Sequence, residues 1–141
     1  MALALVERTT LADGKPIRIG IPTALQLQVG RDTLDAAQLA VDEINAAGGV
    51  LGRKLEYVAA DETETPETGI NAIKKLTTSD KVDVLIGGYT SGVTLAQLPH
   101  ISSAKTLYLG IGAASPAITA KVKQDYENYK YIFQINPLNS K

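Results

Sequence analysis

Five residues, Gly88-Tyr89-Thr90-Ser91-Gly92, come close to a hydrolase turn. The Gly-x-Ser-x-Gly pattern needs serine at its third place, with a histidine and an acid to activate it. The third place here is Thr90. The chain's one histidine, His100, follows Pro99 inside the next predicted helix and reads as a packed or surface side chain. Gly110-Ile111-Gly112-Ala113-Ala114-Ser115 stops one glycine short of the dinucleotide fingerprint. It follows the fourth predicted strand, not the first, and no acid closes a following strand. Tyr126 and Lys130 match a Tyr-x-x-x-Lys pair, but in a stretch rich in both types this reads as a solvated face. Asp61 to Glu67 lacks the alternation of a calcium loop, so helix capping and solvation account for its acids.

What remains is a set of loops rich in backbone donors. Ser91 and Gly92 fall where a helix begins. A helix start presents N–H groups without intrahelical partners and a partial positive charge, which suits a carboxylate or similar anion. Ser91 could equally cap its own helix. The residues alone leave both roles open.

Composition narrows the function classes. Fourteen Lys and Arg against fifteen Asp and Glu give a net charge of −1 over 141 residues. That balance lacks the concentrated basic face of a nucleic-acid binder. With no cysteine there are no disulfides, thiolate metal sites or thiol catalysis, and a single histidine disfavours a histidine metal site. No metal or cofactor is expected. No apolar run reaches the ~18 residues of a membrane span.

The elements that hold the loops alternate between strand and helix. Ile17 to Ile21 reads as a strand, ended by Pro22. Leu34, Ala37, Val41 and Ile44 recur at spacings of three, four and three, one face of a helix capped by Asp32 or Thr33 and stopped at Gly48-Gly49. Leu55 to Ala60 is the second strand. Thr65-Pro66-Glu67 starts the second helix, with a capping hydroxyl, proline at the first helical place and an acid in the first turn. Val82 to Ile86 is the third strand, and Val93 to Ser103 a helix that Pro99 kinks or delays. Thr106 to Leu109 and Tyr131 to Ile135 are the last strands, with one or two helical turns in the polar stretch 117–130.

This alternation predicts an α/β fold: three layers, a doubly wound and mostly parallel sheet, with the flavodoxin-like strand order 2-1-3-4-5. Ligands in such sheets bind beyond the carboxyl ends of the strands. The loops there are Pro22–Gly30, Gly87–Gly92 and Gly110–Pro116. A phosphate-accepting regulator of this topology needs carboxylates where this chain has Pro22-Thr23 and Gly87-Gly88.

Three segments carry a family resemblance. Glu43-Ile44-Asn45-Ala46-Ala47-Gly48-Gly49-Val50-Leu51-Gly52-Arg53-Lys54-Leu55 is the most specific. Val84 to Val93 and Gly112 to Thr119 follow in order and spacing. Together they resemble the type I periplasmic binding proteins, in the leucine/isoleucine/valine-type branch of ABC-transporter solute receptors. The likeness runs from about Ile17 to the last residue.

The resemblance implies a binding protein rather than an enzyme, working outside the cytoplasm with a transporter permease. Its ligand would lie between two lobes that close as a hinged clamp. Carried over residue by residue, Ser91 and Gly92 would hold a ligand carboxylate, joined by the amide of Ala114. The carbonyl of Ala113 would take the ammonium group, and Tyr89 would flank the pocket. This chain departs from the family at Ala114, where threonine is common, and in lacking an aromatic near Val29. The solute therefore ranges from a branched-chain amino acid to an amide, a short carboxylate or another small polar solute. A ligand-sensing domain of the same fold is the alternative use, and a flavodoxin-like enzyme subunit a third.

On this reading residues 1–16 are a lead-in, 17–135 the ligand-binding lobe, and 136–141 the start of a hinge to a second lobe absent from this chain. An isolated lobe would expose an apolar strip and could pair with a second copy through it.

Overall fold

A computed structural model describes residues 14–137. Most of the expected lead-in, and Leu138 and Asn139 of the expected hinge, lie outside them. The chain runs β1 (Ile17–Thr23), α1 (Gln28–Ala46), β2 (Leu55–Asp61), α2 (Pro66–Lys74), β3 (Val84–Gly87), α3 (Ser91–Ala104), β4 (Leu107–Gly110), α4 (Pro116–Gln124), α5 (Tyr126–Tyr129) and β5 (Ile132–Gln134). The five strands form one sheet in the order β2-β1-β3-β4-β5. Every pairing is parallel. The expected topology is the observed one.

Several element ends differ from the sequence reading for physical reasons. Helix α1 starts at Gln28, before Asp32 and Thr33, and its N-cap, Leu27, offers no side-chain bond. The start is set by a backbone turn in which Leu27 N–H donates to Ala24 O at 2.9 Å. Gly30 makes this turn fit, because a Cβ there would meet Ala24 O at 2.0 Å. The loop after β1 is therefore Ala24 to Leu27. Thr65 does cap α2, accepting from Thr68 N–H. The helix then widens into a π turn over Lys75–Ser79. Pro99 lies inside α3 without ending it. The polar stretch after Ser115 forms two short helices, α4 and α5.

The most family-like segment has a clear structural job. The Asn45 side chain donates to Leu55 O at 2.9 Å and accepts from Leu55 N at 2.7 Å. This two-way bond ties the end of α1 to the start of β2. The chain between them turns at Gly48 (φ 104°) and Gly49 (φ 76°), left-handed values that glycine adopts without Cβ strain.

The core sits on one face of the sheet. There Leu85, Tyr108 and Ile132 pack under Ala72 and Ile73 of α2, Leu98 and Ile101 of α3, Ile118 of α4 and Tyr129 of α5. Side chains alternate along strands, so Ile86, Leu109 and Phe133 point to the other face. Ile86 pairs with Leu109, and Leu109 with Phe133, in register across three strands. On that face α1 covers the β1–β2 side, and the row runs from half-buried Ile86 and Leu109 to exposed Phe133 at the far edge. Phe133 is 51% and Leu107 40% exposed. A cavity of about 660 Å³ runs along the same face, lined by residues that include Ile19, Ile21, Ile86 and Ile111 from the sheet side and Val29 and Ala40 from α1. Among the described residues, no helix is long and apolar enough to cross a membrane.

Candidate ligand-binding site

The carboxyl ends of β1, β3 and β4 meet at backbone distances that tolerate only glycine. A Cβ on Gly87 would lie 2.2 Å from Pro22 O, and one on Gly88 (φ 80°) would lie 2.0 Å from the Tyr108 hydroxyl. Gly112 is also crowded, though less so, with Gly88 O 2.7 Å from its would-be Cβ. The loops after β3 and β4 are thus laid on each other. Gly88 O accepts from Ala113 N–H at 3.2 Å, and Gly87 O from Ile111 N–H at 3.1 Å. This contact brings Tyr89, Ser91 and Gly92 of one loop beside Ala113 and Ala114 of the other.

Ser91 does not cap its own helix. The N-cap of α3 is Thr90, and no side chain bonds across this helix start. The oxygen of Ser91 instead accepts from Ser115 N–H at 3.2 Å. A hydroxyl also carries one donor hydrogen, so Ser91 O–H can still point at an outside acceptor. The first N–H groups of α3 lack intrahelical acceptors by helix geometry. A Cβ added at Gly92 would meet nothing within 4 Å. An uncapped, open helix start is a place for an anion.

The second loop is less free than the sequence suggests. Ala113 itself is buried, and its carbonyl already accepts from the side-chain amides of Gln134 and Asn136, the latter at 3.2 Å. A carbonyl oxygen has two lone pairs. A ligand ammonium at this oxygen would have to displace one amide or share with it. Sequence reasoning missed Gln134 and Asn136, because nothing in their spacing links them to a loop more than twenty residues earlier. Ala114 is half-buried beside Ser115, which caps α4 by accepting from Ala117 N–H. Tyr89 is 43% exposed at the rim.

Glu62 departs from the sequence reading. Thr65 and Glu67 do serve α2 as expected, but Glu62 is not solvated. It is 1% exposed. Its Oε1 accepts from Tyr89 N–H at 2.9 Å and its Oε2 from Gln97 Nε2 at 3.0 Å. Burial pushes its carboxyl above the ordinary range, against the lowering effect of the Tyr89 and Gln97 hydrogen bonds. Neighbouring Asp61 goes the other way. What burial it has works upward, but bonds from Gln26, Thr63 and Leu25 outweigh it and hold the carboxyl low. The bonds from Leu25 and Gln26 tie the Ala24–Leu27 loop to the end of β2. His100 sits half-buried within α3, away from the loops. No group of three His, Asp or Glu residues is placed to hold a metal ion among the described residues.

Chemically, the site offers N–H groups and a hydroxyl to an anion, with no nucleophile beside a base. The chain matches the family model described as "Periplasmic binding protein" over residues 16–141. It is 32% identical over 104 residues to Leu/Ile/Val-binding protein homolog 1 of Brucella abortus, covering 73% of this chain and 28% of that protein. A branched-chain amino acid ABC-transporter protein of Silicibacter pomeroyi, so described putatively, has a similar structure. Its TM-score is 0.79 at 30% identity, covering 87% of this chain and 32% of that one. The substrate-binding protein LivJ of Streptococcus pneumoniae, solved with isoleucine, gives a TM-score of 0.75 at 28% identity, covering 87% and 34%. The chain thus spans about a third of the length of these relatives.

Proposed function

Because the chain belongs to the periplasmic binding protein family, we propose that residues 17–135 form one ligand-gripping lobe of an extracytoplasmic solute receptor that serves an ABC importer. Residues from 136 onward lead toward a second lobe. The solute is a branched-chain amino acid or a similarly small polar molecule with a carboxylate. The lobe binds and releases it without chemistry, and hands it to a permease. The open strip on the sheet face pairs isolated copies of this chain with each other.

The carrying observation is the uncapped start of α3, where Ser91 keeps a free hydroxyl hydrogen while its oxygen is held by Ser115. In this arrangement the ligand carboxylate lies against the first turn of α3, over Gly92, with the amide of Ala114 beside it. The ammonium group faces Ala113 O, in exchange for one of the two amides now bonded there. The relative solved with isoleucine supports the choice of ligand class.

Titration of the isotope-labelled chain with L-isoleucine, followed by amide NMR, tests this. One lobe supplies half the contacts, so affinity should be weak, on the order of millimolar. The amides of Ser91, Gly92, Val93 and Ala114 should shift together and saturate. Shifts confined to other parts of the chain, or none, would overturn the reading.

A further inference from the structure

Glu62 is a buried carboxyl that takes no direct part in holding the ligand. Glu62 closes β2 beneath the turn that delivers Ser91, and no cation is paired with it among the described residues. The ion pairs found there are Lys75–Asp80 and Lys130–Glu127. Burying a carboxylate without a counter-ion costs several kcal/mol unless hydrogen bonds replace its water. Here the replacements are specific. Tyr89 N–H holds one oxygen and Gln97 Nε2 the other. Gln97 Nε2 is itself fixed by a second bond, to Gly69 O at 3.1 Å.

The geometry requires two acceptors facing two donors. An ionised carboxylate accepts at both oxygens with its full charge and has no proton to place. A protonated acid accepts more weakly at its hydroxyl oxygen and must also find room for the O–H, and an amide sets an NH2 donor against one of the two N–H groups. Gln97 could relieve this by turning its amide over, since its Oε1 has no partner among the described residues. That turn would set Oε1 against Gly69 O in place of the present bond. The other way out is for Tyr89 to move, and Tyr89 begins the turn that leads into α3.

We propose that Glu62 is a positioning residue for the solute loop: its carboxylate fixes the Tyr89 amide and thereby the direction in which the turn presents Ser91 and Gly92 to the ligand. This rests on the reading of the α3 start as the ligand site. Solute affinity then depends on Glu62 being ionised, and it weakens as that carboxylate takes up a proton. The titratable groups facing Glu62 are few. Asp61 adjoins it on β2, and Tyr108 approaches from β4. From α3 its carboxylate meets the neutral Gln97 amide, itself bonded to Gly69 O of α2, and the neutral Thr68 hydroxyl of α2 donates to its backbone carbonyl. Burial keeps the Tyr108 phenol neutral, far above the range in which a carboxyl titrates.

The test compares the unaltered chain with Glu62→Gln, using L-isoleucine as probe between about pH 5 and pH 8, where the probe's own charge is constant. At neutral pH the variant should stay folded, show a moved Tyr89 amide resonance, and bind about three- to tenfold more weakly. In the unaltered chain the Tyr89 and Gln97 amide resonances should titrate with Glu62, and affinity should fall in step. In Glu62→Gln the affinity should not change with pH. Equal affinity and equal pH profiles would overturn the proposal. If the variant does not fold, the unaltered chain decides alone: affinity that stays constant while Tyr89 titrates overturns it. Absence of isoleucine binding by the folded, unaltered chain overturns the ligand-site reading first. Ser91→Ala separates the two, since it should weaken binding whether or not Glu62 matters.

Discussion

Ser91 and Ser115 join two helix starts through one hydrogen bond: the hydroxyl oxygen at the head of α3 accepts the amide at the head of α4, at 3.2 Å. The bond consumes an acceptor site and leaves the hydroxyl hydrogen free. On the proposed reading Ser91 is both a brace between two loops and a donor to the ligand. Ser91→Ala removes both functions. A neutral hydrogen bond contributes about 1 kcal/mol, so thermal unfolding should show a loss near that size. Isoleucine affinity should fall about tenfold, measured by NMR titration or, in a two-lobe protein, by calorimetry. A stability loss with unchanged affinity would leave Ser91 as a brace only.

Gly92 separates space from stability. Its backbone φ is not left-handed, and an added Cβ meets nothing within 4 Å. Alanine is the better helix former by about 0.8–1 kcal/mol in helix interiors, less near an end. Gly92→Ala should therefore keep or slightly raise the melting temperature. On the proposed reading the new methyl group stands in the path of the ligand carboxylate, so affinity should drop severalfold. Unfolding scans and isoleucine titration of the same sample check both halves.

Gly112 should behave oppositely. A Cβ there would come within 2.7 Å of Gly88 O and 3.2 Å of Tyr89 Cα, both backbone atoms that cannot swing aside. Gly112→Ala must push the two loops apart and break the Ala113–Gly88 hydrogen bond. A cost of about 1–3 kcal/mol follows from overpacking of this kind. Urea denaturation should show a lower midpoint with the slope preserved.

The order of strands, the α/β class and the loops that meet at the site were legible because each rests on local pattern. Branched runs alternate with helical spacing, and Thr65-Pro66-Glu67 and Gly48-Gly49 punctuate the chain. Two things were not legible. Helix α1 starts on a backbone turn that Gly30 alone permits, so the search for a capping side chain pointed five or six residues too late, to Asp32 or Thr33. Glu62 looked like one of several solvated acids. Its burial depends on Gln97 and Tyr89, which arrive from sites 27 to 35 residues later. No pattern in a single sequence ties those positions together. Ser91 lay between: its place at a helix start was evident, but only its bond to Ser115 decides that it does not cap.

Stability against pH should show two separate windows. The Glu62 carboxyl is raised above its ordinary 4.5 in the folded chain. Between that value and the folded one, the folded chain binds more protons, so stability rises as pH falls through this interval. Asp61 is lowered below its ordinary 3.8. Its contribution is complete above that value and is lost as pH falls through the lowered one. Denaturation series in urea should therefore give a stability increase from neutral pH toward about pH 4.5 and a decline in stronger acid. Glu62→Gln should remove the rise and keep the decline.

The open face of the sheet makes the last prediction. Ile86, Leu109 and Phe133 form a row across three strands in register, bordered by α1 at Ile86 and most open at Phe133. Phe133 lies on β5, the edge strand, at 51% exposure. Covering a large apolar side chain contributes about 1.5–3 kcal/mol, so pairing that covers Phe133 would be favoured. The isolated chain should then self-associate with concentration, as read by light scattering after size exclusion. Phe133→Lys places a charge at the edge of the row, where lysine opposes pairing, and should shift the chain to monomer. Because Phe133 is half in solvent already, folding stability should change by less than about 1 kcal/mol. A chain that stays monomeric at high concentration, or a dimer indifferent to Phe133→Lys, would show that copies of the chain do not pair through this row.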